Sequence, residues 1–380
     1  MNVYINDLAS FLPNDPVDND HIEDVMGKVN ALPSKAKAIT LRSNQIKQRY
    51  YAIDPATGEF THNNAQLTAA AVRNLSPYEG FTPADIECLC CGTTSPDLLF
   101  PGHALMVVGE LEMPPCDAVT TAGICIAGMT AFKHACMNVA AGFSKNAVAT
   151  GSELASSFLR ADYFAVSADP EADLEKKPIL AFDADFLRWM LSDGAGAAFL
   201  SGEKNPGGLS LRVDWIENIS FAGELETCMY AGGWKTDDGC VAGWRAADSV
   251  MDAARQNVLA VRQDVKLLGR EIVKTKTRAL EKVVAKHGLV PEAIDWYLPH
   301  YSSHYFRDKF YEGMKAAGFE IPLEKWFTNL YTTGNVGAAS IYLIMEELFK
   351  SRRLEKGQKL LCFIPESGRF SHCFMHLTVV

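Results

Sequence analysis

Apolar and small residues recur along the chain with two periods, one typical of strands and one typical of helices. The runs Ile86–Gly92 and Ala147–Glu153 are almost continuously apolar or small, as in strands that are buried in a sheet. Between these predicted strands, apolar residues lie four positions apart and so share one face of a predicted helix: Ala127, Ala131, Ala135 and Val139.

The same order of elements recurs near the C-terminus. The pattern predicts a strand over Ala293–Tyr301, a small-residue turn over Gly334–Ser340 with a helix after it, and a strand over Lys359–Ile364. The two halves therefore look duplicated. Strands that alternate with helices favour α/β layers over a sandwich or a helical bundle.

Composition narrows the class of protein. The chain has 380 residues, of which 48% are hydrophobic, enough for one large fold or two domains. A net charge of -10 and a pI of about 5.4 argue against a nucleic-acid partner, which would need a clustered basic surface. No basic and then apolar leader opens the sequence, and no uncharged apolar run is long enough to cross a bilayer. We therefore expect a cytoplasmic protein without a membrane span.

The cysteines and histidines suggest neither a disulfide framework nor a metal site. Ten cysteines are few for this length and lie mostly in apolar stretches, so we expect reduced thiols. The pairs His300/His304 and His372/His376 have the spacing of ligands on one helical face. The second pair, however, lies in a strand-like alternation, and no metal is predicted.

Cys125 is the strongest candidate for chemistry. It lies between the turn Thr120–Gly123 and a small-residue helix, where backbone N–H groups and the helix dipole would lower the pKa of its thiol. A thiolate at such a turn reacts with acyl groups. The alternative is a small buried apolar side chain. His300 after Pro299 and Asn335 after Gly334 add the other polar members of a reactive set.

Six segments, in their order and combination across nearly the whole chain, resemble the condensing enzymes of the thiolase superfamily. The closest resemblance is to β-ketoacyl-acyl-carrier-protein synthase III. The segments are Ile86–Asp97, the turn at Cys125, Ala149–Glu153, Leu191–Ala198, Trp296–His300 and Thr333–Ser340.

The resemblance implies a five-layered αβαβα fold of two pseudo-duplicated halves, a homodimer, and a Cys-His-Asn site where the halves meet. Cys125 would be the acylated nucleophile, and His300 and Asn335 would donate hydrogen bonds to an enolate. The N–H of Cys125 and one from the loop Ser367–Phe370 would bind the acyl carbonyl oxygen. The halves would span 1–204 and 261–380, with 205–260 as an insertion or lid.

Each supporting residue also has a plainer interpretation. His300 could be a core histidine bonded to backbone, and Asn335 could cap the following helix. Glu153 is either a buried carboxylate that orients the site or a solvated residue at a strand end.

Several positions depart from the synthase III pattern. Tyr301 and Ser303 replace the Gln and Asn that follow the catalytic His in that family, and Arg369 stands beside Gly368 where another Gly is common. Arg369 would add volume and charge to the oxyanion loop. The predicted insertion is rich in Trp and Gly, and forms either a pocket wall or a packed surface segment.

A basic segment near the N-terminus resembles the family's substrate entrance. Arg42, Lys47 and Arg49 could meet a phosphopantetheine, a nucleotide phosphate or an acidic carrier protein. The alternative is that these side chains are simply solvated.

We interpret the chain as an acyltransferase that performs a decarboxylative or non-decarboxylative Claisen-type condensation of acyl thioesters through acyl-Cys125. The segment after His300 and the entrance Arg49–Ala52 resemble ketosynthases that build dialkylresorcinol or cyclohexanedione rings, which implies a β-ketoacyl partner. An ordinary synthase III using malonyl carrier protein, a Cys-dependent acyltransferase and an inactive heterodimer partner stay open. No permanently bound cofactor is expected, since coenzyme A or phosphopantetheine arrives with the substrates.

Overall fold

The computed structural model describes residues 1–31, 34, 36–161, 187–236, 238–256 and 258–380. The strands in these ranges are β1 Tyr4–Phe11, β2 Val17–Asp18, β3 Gln48–Arg49, β4 Cys88–Thr93, β5 Asp117–Ala122, β6 Asn146–Glu153, β7 Gly194–Ser201, β8 Leu211–Ser220, β9 Met229–Tyr230, β10 Gly233–Lys235, β11 Val241–Gly243, β12 Arg262–Gln263, β13 Trp296–Pro299, β14 Lys359–Glu366 and β15 Ser371–Val379. The helices are α1 Ile22–Met26, α2 Lys37–Asn44, α3 Asn64–Arg73, α4 His103–Glu110, α5 Ile126–Ala141, α6 Ser156–Leu159, α7 Val250–Arg255, α8 Val265–His287, α9 Arg307–Ala316, α10 Leu330–Thr333 and α11 Ser340–Lys350.

The strand order of the main sheet reveals two related halves. The order is β13-β14-β15-β8-β1-β7-β6-β4-β5. In the first half, β4 pairs with β6 in parallel, and the next two pairs, β6 with β7 and β7 with β1, are antiparallel. In the second half, β13 pairs with β14 in parallel, and the next two pairs, β14 with β15 and β15 with β8, are antiparallel. A parallel bridge between Tyr297 and Trp326 lies where the second half would place the counterpart of β5. The predicted duplication is therefore confirmed.

Helices separate and cover the two halves of the sheet. The halves meet edge to edge through only two residue pairs of β1 and β8, Tyr4 with Arg212 and Ile5 with Leu211. Helices α5 and α11 pack between the halves, α3 and α4 cover the outer face of the first, and α8 and α9 cover that of the second. Buried apolar side chains fill the space between these layers. The five-layered αβαβα prediction is confirmed.

Glycines bring the backbone of one half directly against the other. A Cβ on Gly128 of α5 would lie 2.3 Å from the carbonyl oxygen of Ala338, and a Cβ on Gly151 of β6 would lie 2.2 Å from the same atom. Tyr342 of α11 donates a hydrogen bond to the Gly128 carbonyl at 2.7 Å. These contacts fix the start of α5 relative to the segment that leads into α11.

The predicted insertion 205–260 needs correction. Its residues Leu211–Ser220 form β8, which pairs with β15 along its length and with β1 at its start. Trp215 accordingly stacks on His287 and His376 over the sheet, with ring centroids 4.2 and 5.6 Å away. The segment that departs from the duplicated order of elements begins after β8 and includes β9 to β12 and α7.

Candidate active site

A large cavity opens where the two halves meet. Its volume is about 1490 Å³, above the range of roughly 300–1,000 Å³ that is usual for small-molecule pockets. Cys125, Glu153, Asn335 and Ser367 lie in its wall. The rest of the wall consists mainly of apolar side chains from α6, from Leu187–Leu191 and from the stretch 229–261.

Cys125 stands at the entrance to α5, directly after the strand β5 and its turn. Its backbone is already helical, with φ -53° and ψ -26°, and 8% of the residue is exposed. Burial, and then the charges of Glu153 and Glu366, raise the pKa of the Cys125 thiol. Burial and these two carboxylates act against the lowering that we expect from the helix dipole. In the unliganded protein Cys125 is a thiol at neutral pH.

Asn335 is held by both its backbone and its side chain. Its N–H donates to the carbonyl of Met190 at 3.0 Å, and its own carbonyl accepts from Ser192 at 2.9 Å. The side-chain oxygen accepts from the N–H of Gly337 at 2.9 Å. Because that oxygen is occupied, the amide NH₂ group is the part of Asn335 free to donate into the cavity. The bond from Gly337 closes a local turn before the helix Ser340–Lys350, whose N-cap is Ala339 and not Asn335, and the donor role of Asn335 stays a prediction.

His300 is buried immediately after β13. Its N–H donates to the carbonyl of Phe363 at 2.8 Å, which ties it to β14. Burial lowers the pKa of His300 to about 4, so the imidazole is neutral at pH 7. Among the described residues the cavity wall includes Ser302, two positions further on, but not His300 itself.

Glu153 joins the two halves at the cavity. It ends β6, and its Oε1 accepts hydrogen bonds from Thr94 Oγ1 at 2.6 Å and from the N–H of Ala338 at 3.0 Å. Gly337, with φ 49°, leaves room for it, since a Cβ there would lie 2.7 Å from the same oxygen. Burial raises the pKa of Glu153 to about 7. The alternative interpretation of Glu153 as a solvated residue at a strand end is therefore excluded, because the residue is buried.

The loop after β14 differs from the expected oxyanion loop. The N–H of Gly368 donates to the carboxylate of Glu366 and so does not point freely into the cavity. The guanidinium of Arg369 is exposed and its Nε donates to the carbonyl of Leu225 at 3.1 Å. Arg369 therefore adds no charge to the cavity wall, contrary to expectation. The sequence interpretation did not include Glu366 among the site residues. An acidic residue at the end of an apolar strand and just before a Gly-containing loop could have indicated it.

The predicted entrance does not form as a unit. Arg49 has no exposed surface; its Nε donates to the carbonyl of Trp189 at 3.2 Å and its Nη1 to Asn19 at 2.6 Å. It therefore holds the fold rather than meeting substrate. Arg42 and Lys47 are exposed, but neither belongs to the cavity wall.

The substitutions after His300 also face away from the cavity. Tyr301 is buried with its hydroxyl 3.2 Å from that of Tyr331, and Ser303 is buried and caps a short 3₁₀ turn by accepting from the N–H of Tyr305. Within the Trp- and Gly-rich segment, by contrast, Trp244 and Gly232 do lie in the cavity wall, whereas Trp234 does not. The pocket-wall interpretation thus holds for part of that segment.

The remaining sequence features have structural partners. His372 and His376 lie on β15, as the alternation predicts, and bond to Thr275 and Asp214 respectively. Within the described ranges, no three His, Cys, Asp or Glu side chains are grouped to hold a metal ion. In the same ranges, no helix combines the length and the apolar character that crossing a membrane requires. All ten cysteines are free thiols.

Comparisons with known proteins agree with the fold of the chain. Residues 284–364 match the family model described as the C-terminal part of 3-oxoacyl-[acyl-carrier-protein] synthase III. The chain is 25% identical over 320 residues to β-ketoacyl-[acyl-carrier-protein] synthase III of Allorhizobium ampelinum, which covers 83% of both chains. Two solved structures share the fold over at least 98% of both chains. They are AbyA1, a tetronic acid condensing enzyme, with a TM-score of 0.75 at 20% identity, and OleA of Xanthomonas campestris, with 0.76 at 18%.

The fold and these likenesses make the chain similar to condensing enzymes of the synthase III type. They confirm that the chain resembles synthase III in sequence, and that it is an enzyme of the condensing acyltransferase type.

Proposed function

We propose that the protein condenses acyl thioesters through an acyl group carried on Cys125. The observation that supports this most directly is that Cys125, Asn335 and Glu153, from both halves, lie in the wall of one large apolar cavity. A mainly apolar wall around a nucleophile and a polar donor suits the binding and transfer of an acyl group.

Loading begins with the thiol of Cys125. Its sulfur adds to the carbonyl of the donor thioester, the donor's C–S bond breaks, and the donor thiol leaves with the proton that Cys125 gives up. Because the pKa of Cys125 is raised, the proton leaves its sulfur only as the new bond forms, and it passes to the departing donor sulfur. The neutral imidazole of His300 would act in the later step, where it would hydrogen-bond an enolate together with the amide of Asn335.

For the second substrate we propose a β-ketoacyl thioester. Glu153, whose pKa of about 7 suits a base at neutral pH, would remove the acidic proton between the two carbonyls without decarboxylation. The carbanion then attacks acyl-Cys125, a C–C bond forms, the S–C bond breaks, and the proton held by Glu153 returns to the sulfur. When the acyl group is α,β-unsaturated, the carbon on the far side of the keto group of the second substrate would then add to the β-carbon of the acyl chain. This addition closes a six-membered 1,3-dione and leaves the second thioester intact. A cavity of about 1490 Å³ has room for both chains and for this folding back.

The alternatives differ in their products. An ordinary synthase III would give a linear β-ketoacyl product from malonyl carrier protein, and an acyltransferase would form no C–C bond. An inactive partner would not be acylated at all. The substrates would bring their own coenzyme A or phosphopantetheine, and we propose no resident cofactor.

The experiment that tests loading is intact-protein mass spectrometry after incubation with acyl thioesters of increasing length. We expect the wild type and Cys116→Ala to gain one acyl mass, and Cys125→Ala to gain none, because only Cys125 lies in the cavity wall among the described cysteines. An adduct that persists on Cys125→Ala would contradict the assignment.

The experiment that tests the extender gives the loaded enzyme either a β-ketoacyl or a malonyl thioester, with saturated and α,β-unsaturated acyl donors. Cyclic products from the β-ketoacyl partner are expected. Linear products from malonyl carrier protein, without any cyclic product from a β-ketoacyl partner, would favour ordinary synthase III activity.

We also propose a homodimer that pairs through β5, the edge strand of the sheet. Leu99 and Phe100, in the loop before α4, are 79% and 83% exposed. An unpaired strand beside exposed apolar side chains is a natural site for a second copy of the same chain. The ten free thiols support a reducing, cytoplasmic location, which we likewise propose.

A further inference from the structure

The carboxylate of Glu366 organises the loop that follows β14. Glu366 is 6% exposed and is the last residue of the strand. It accepts hydrogen bonds from three backbone N–H groups of its own loop: that of Gly368, that of Arg369 at 3.2 Å and that of Ser371 at 3.1 Å. Such a cluster of N–H groups around an anion is a nest, and here the anion belongs to the protein itself.

This nest changes which N–H of the loop can bind a substrate oxygen. The N–H of Gly368 is committed to Glu366. The N–H of Ser367 is not committed in this way, because no described residue accepts a hydrogen bond from it. Ser367 also lies in the cavity wall together with Cys125, whereas Gly368 does not.

The loop is held close to the nucleophile. A Cβ on Gly368 would lie 2.7 Å from Cδ1 of Ile124, the residue before Cys125, so the loop packs directly on the turn that carries the thiol. The side chain of Ser367 is fixed from the other side, since its Oγ accepts from Gln263 Nε2 at 3.1 Å and lies 3.7 Å from the sulfur of Met229. Ser367 is therefore anchored on both flanks, with its N–H unused.

We propose that the backbone N–H of Ser367, not that of Gly368, donates to the carbonyl oxygen of the acyl group on Cys125, and that Glu366 is a positioning residue that holds the loop in this arrangement. The inference rests on the proposed acyl-Cys125 chemistry. It assigns Glu366 a role in acyl transfer without contact to the substrate, and gives Ser367 direct contact through its main chain.

The test compares Ser367→Pro, which lacks the N–H, with the matched control Ser367→Ala, which keeps it. Loading of Cys125 should slow on the order of 10²-fold in Ser367→Pro, the scale expected for one lost oxyanion donor, and only a few-fold in Ser367→Ala. The infrared carbonyl stretch of a ¹³C-labelled acyl group on Cys125 supplies a second readout. It should shift to higher frequency in Ser367→Pro and stay in place in Ser367→Ala, because only the proline removes a hydrogen bond.

Glu366→Gln keeps the inference testable if the proline variant does not fold. Its amide NH₂ cannot accept from the loop N–H groups, so loading should slow at least about tenfold with KM nearly unchanged, and the carbonyl stretch should rise. Faster loading in Glu366→Gln would overturn the inference, because it would mean that Glu366 blocks Gly368 as the true donor. Equal loading and equal frequency in Ser367→Pro and Ser367→Ala would overturn it too. Absence of any adduct on the wild type would instead refute the acyl-Cys125 proposal.

Discussion

Glu153 shows how one carboxylate can serve the fold and the proposed reaction together. We expect Glu153→Gln to retain acyl loading on Cys125 but to lose condensation with a β-ketoacyl partner by about 10²-fold or more, the usual scale for a general base. In the wild type the condensation rate should rise with pH through about 7, as Glu153 ionises. Product formation followed by mass spectrometry across pH 5 to 9 measures both, and an unchanged rate in Glu153→Gln would remove the base from the mechanism.

The same carboxylate should leave a mark on stability. The pKa of Glu153 is about 7 in the folded protein against 4.5 for an ordinary Glu. Between these values the folded state holds the proton more tightly than the unfolded state, so this residue makes the free energy of unfolding fall as pH rises from about 4.5 to about 7. Urea unfolding at several pH values should show a smaller fall in Glu153→Gln than in the wild type.

His300 and Asn335 should separate loading from condensation. If both donate to an enolate, His300→Ala and Asn335→Ala should still acquire an acyl group on Cys125 while carbon-carbon bond formation falls on the order of 10²-fold. Mass spectrometry measures the first step and product analysis the second. Condensation at the wild-type rate in both variants would contradict their catalytic roles.

At this scale the sequence identifies the residues but not their surroundings. The turn before Cys125 and the small residues after Asn335 are local patterns, and the structure places both residues at the cavity. Arg49 was misread because a solvated and a buried arginine look alike in sequence; the carbonyl of Trp189 that it binds lies 140 residues away. The raised pKa of Cys125 comes first from burial and then from Glu153 and Glu366, and these surroundings likewise arise only from folding.

At the scale of elements, the glycine contacts between α5, β6 and Ala338 give a direct test. Gly151→Ala would place a Cβ 2.2 Å from the Ala338 carbonyl oxygen, so we expect a loss of about 1–3 kcal/mol in the free energy of unfolding, as for other overpacked cores. Gly269→Ala, in α8, is the matched control. Its Cβ would meet no atom within 4 Å, and a gain of roughly 0.5–1 kcal/mol is expected from the better helix former. Equal urea midpoints for the two variants would contradict this packing argument.

Elements with local periodicity were predictable from the sequence, and those defined by distant partners were not. The strands β4, β6 and β14 and the helices α5 and α11 follow from their own apolar pattern. By contrast, β8 was assigned to an insertion because its neighbourhood is rich in Trp and Gly. Its partner β15 lies about 150 residues further along the chain, so no local window contains the pairing that makes it a sheet strand.

At the scale of the whole molecule, the proposed dimer predicts a change in mass. The double variant Leu99→Asp and Phe100→Asp should shift the protein toward monomer in light scattering, because charge would replace the exposed apolar pair beside β5. Val290→Asp, an exposed apolar position in the other half, should leave the mass unchanged. If the wild type is itself a monomer at micromolar concentration, the dimer proposal fails.

The backbone contacts behind Cys125 have a consequence for how such a protein can acquire new substrates. Where main chain touches main chain at Gly128 and Gly151, a single added methyl group meets the Ala338 carbonyl, so almost no substitution fits at these two positions. The described residues between 229 and 261 that line the cavity, by contrast, contribute side chains that can be exchanged one at a time. Directed evolution of substrate range should therefore find its folded, altered variants among these lining residues, while the glycine contacts keep the helix that follows the nucleophile fixed.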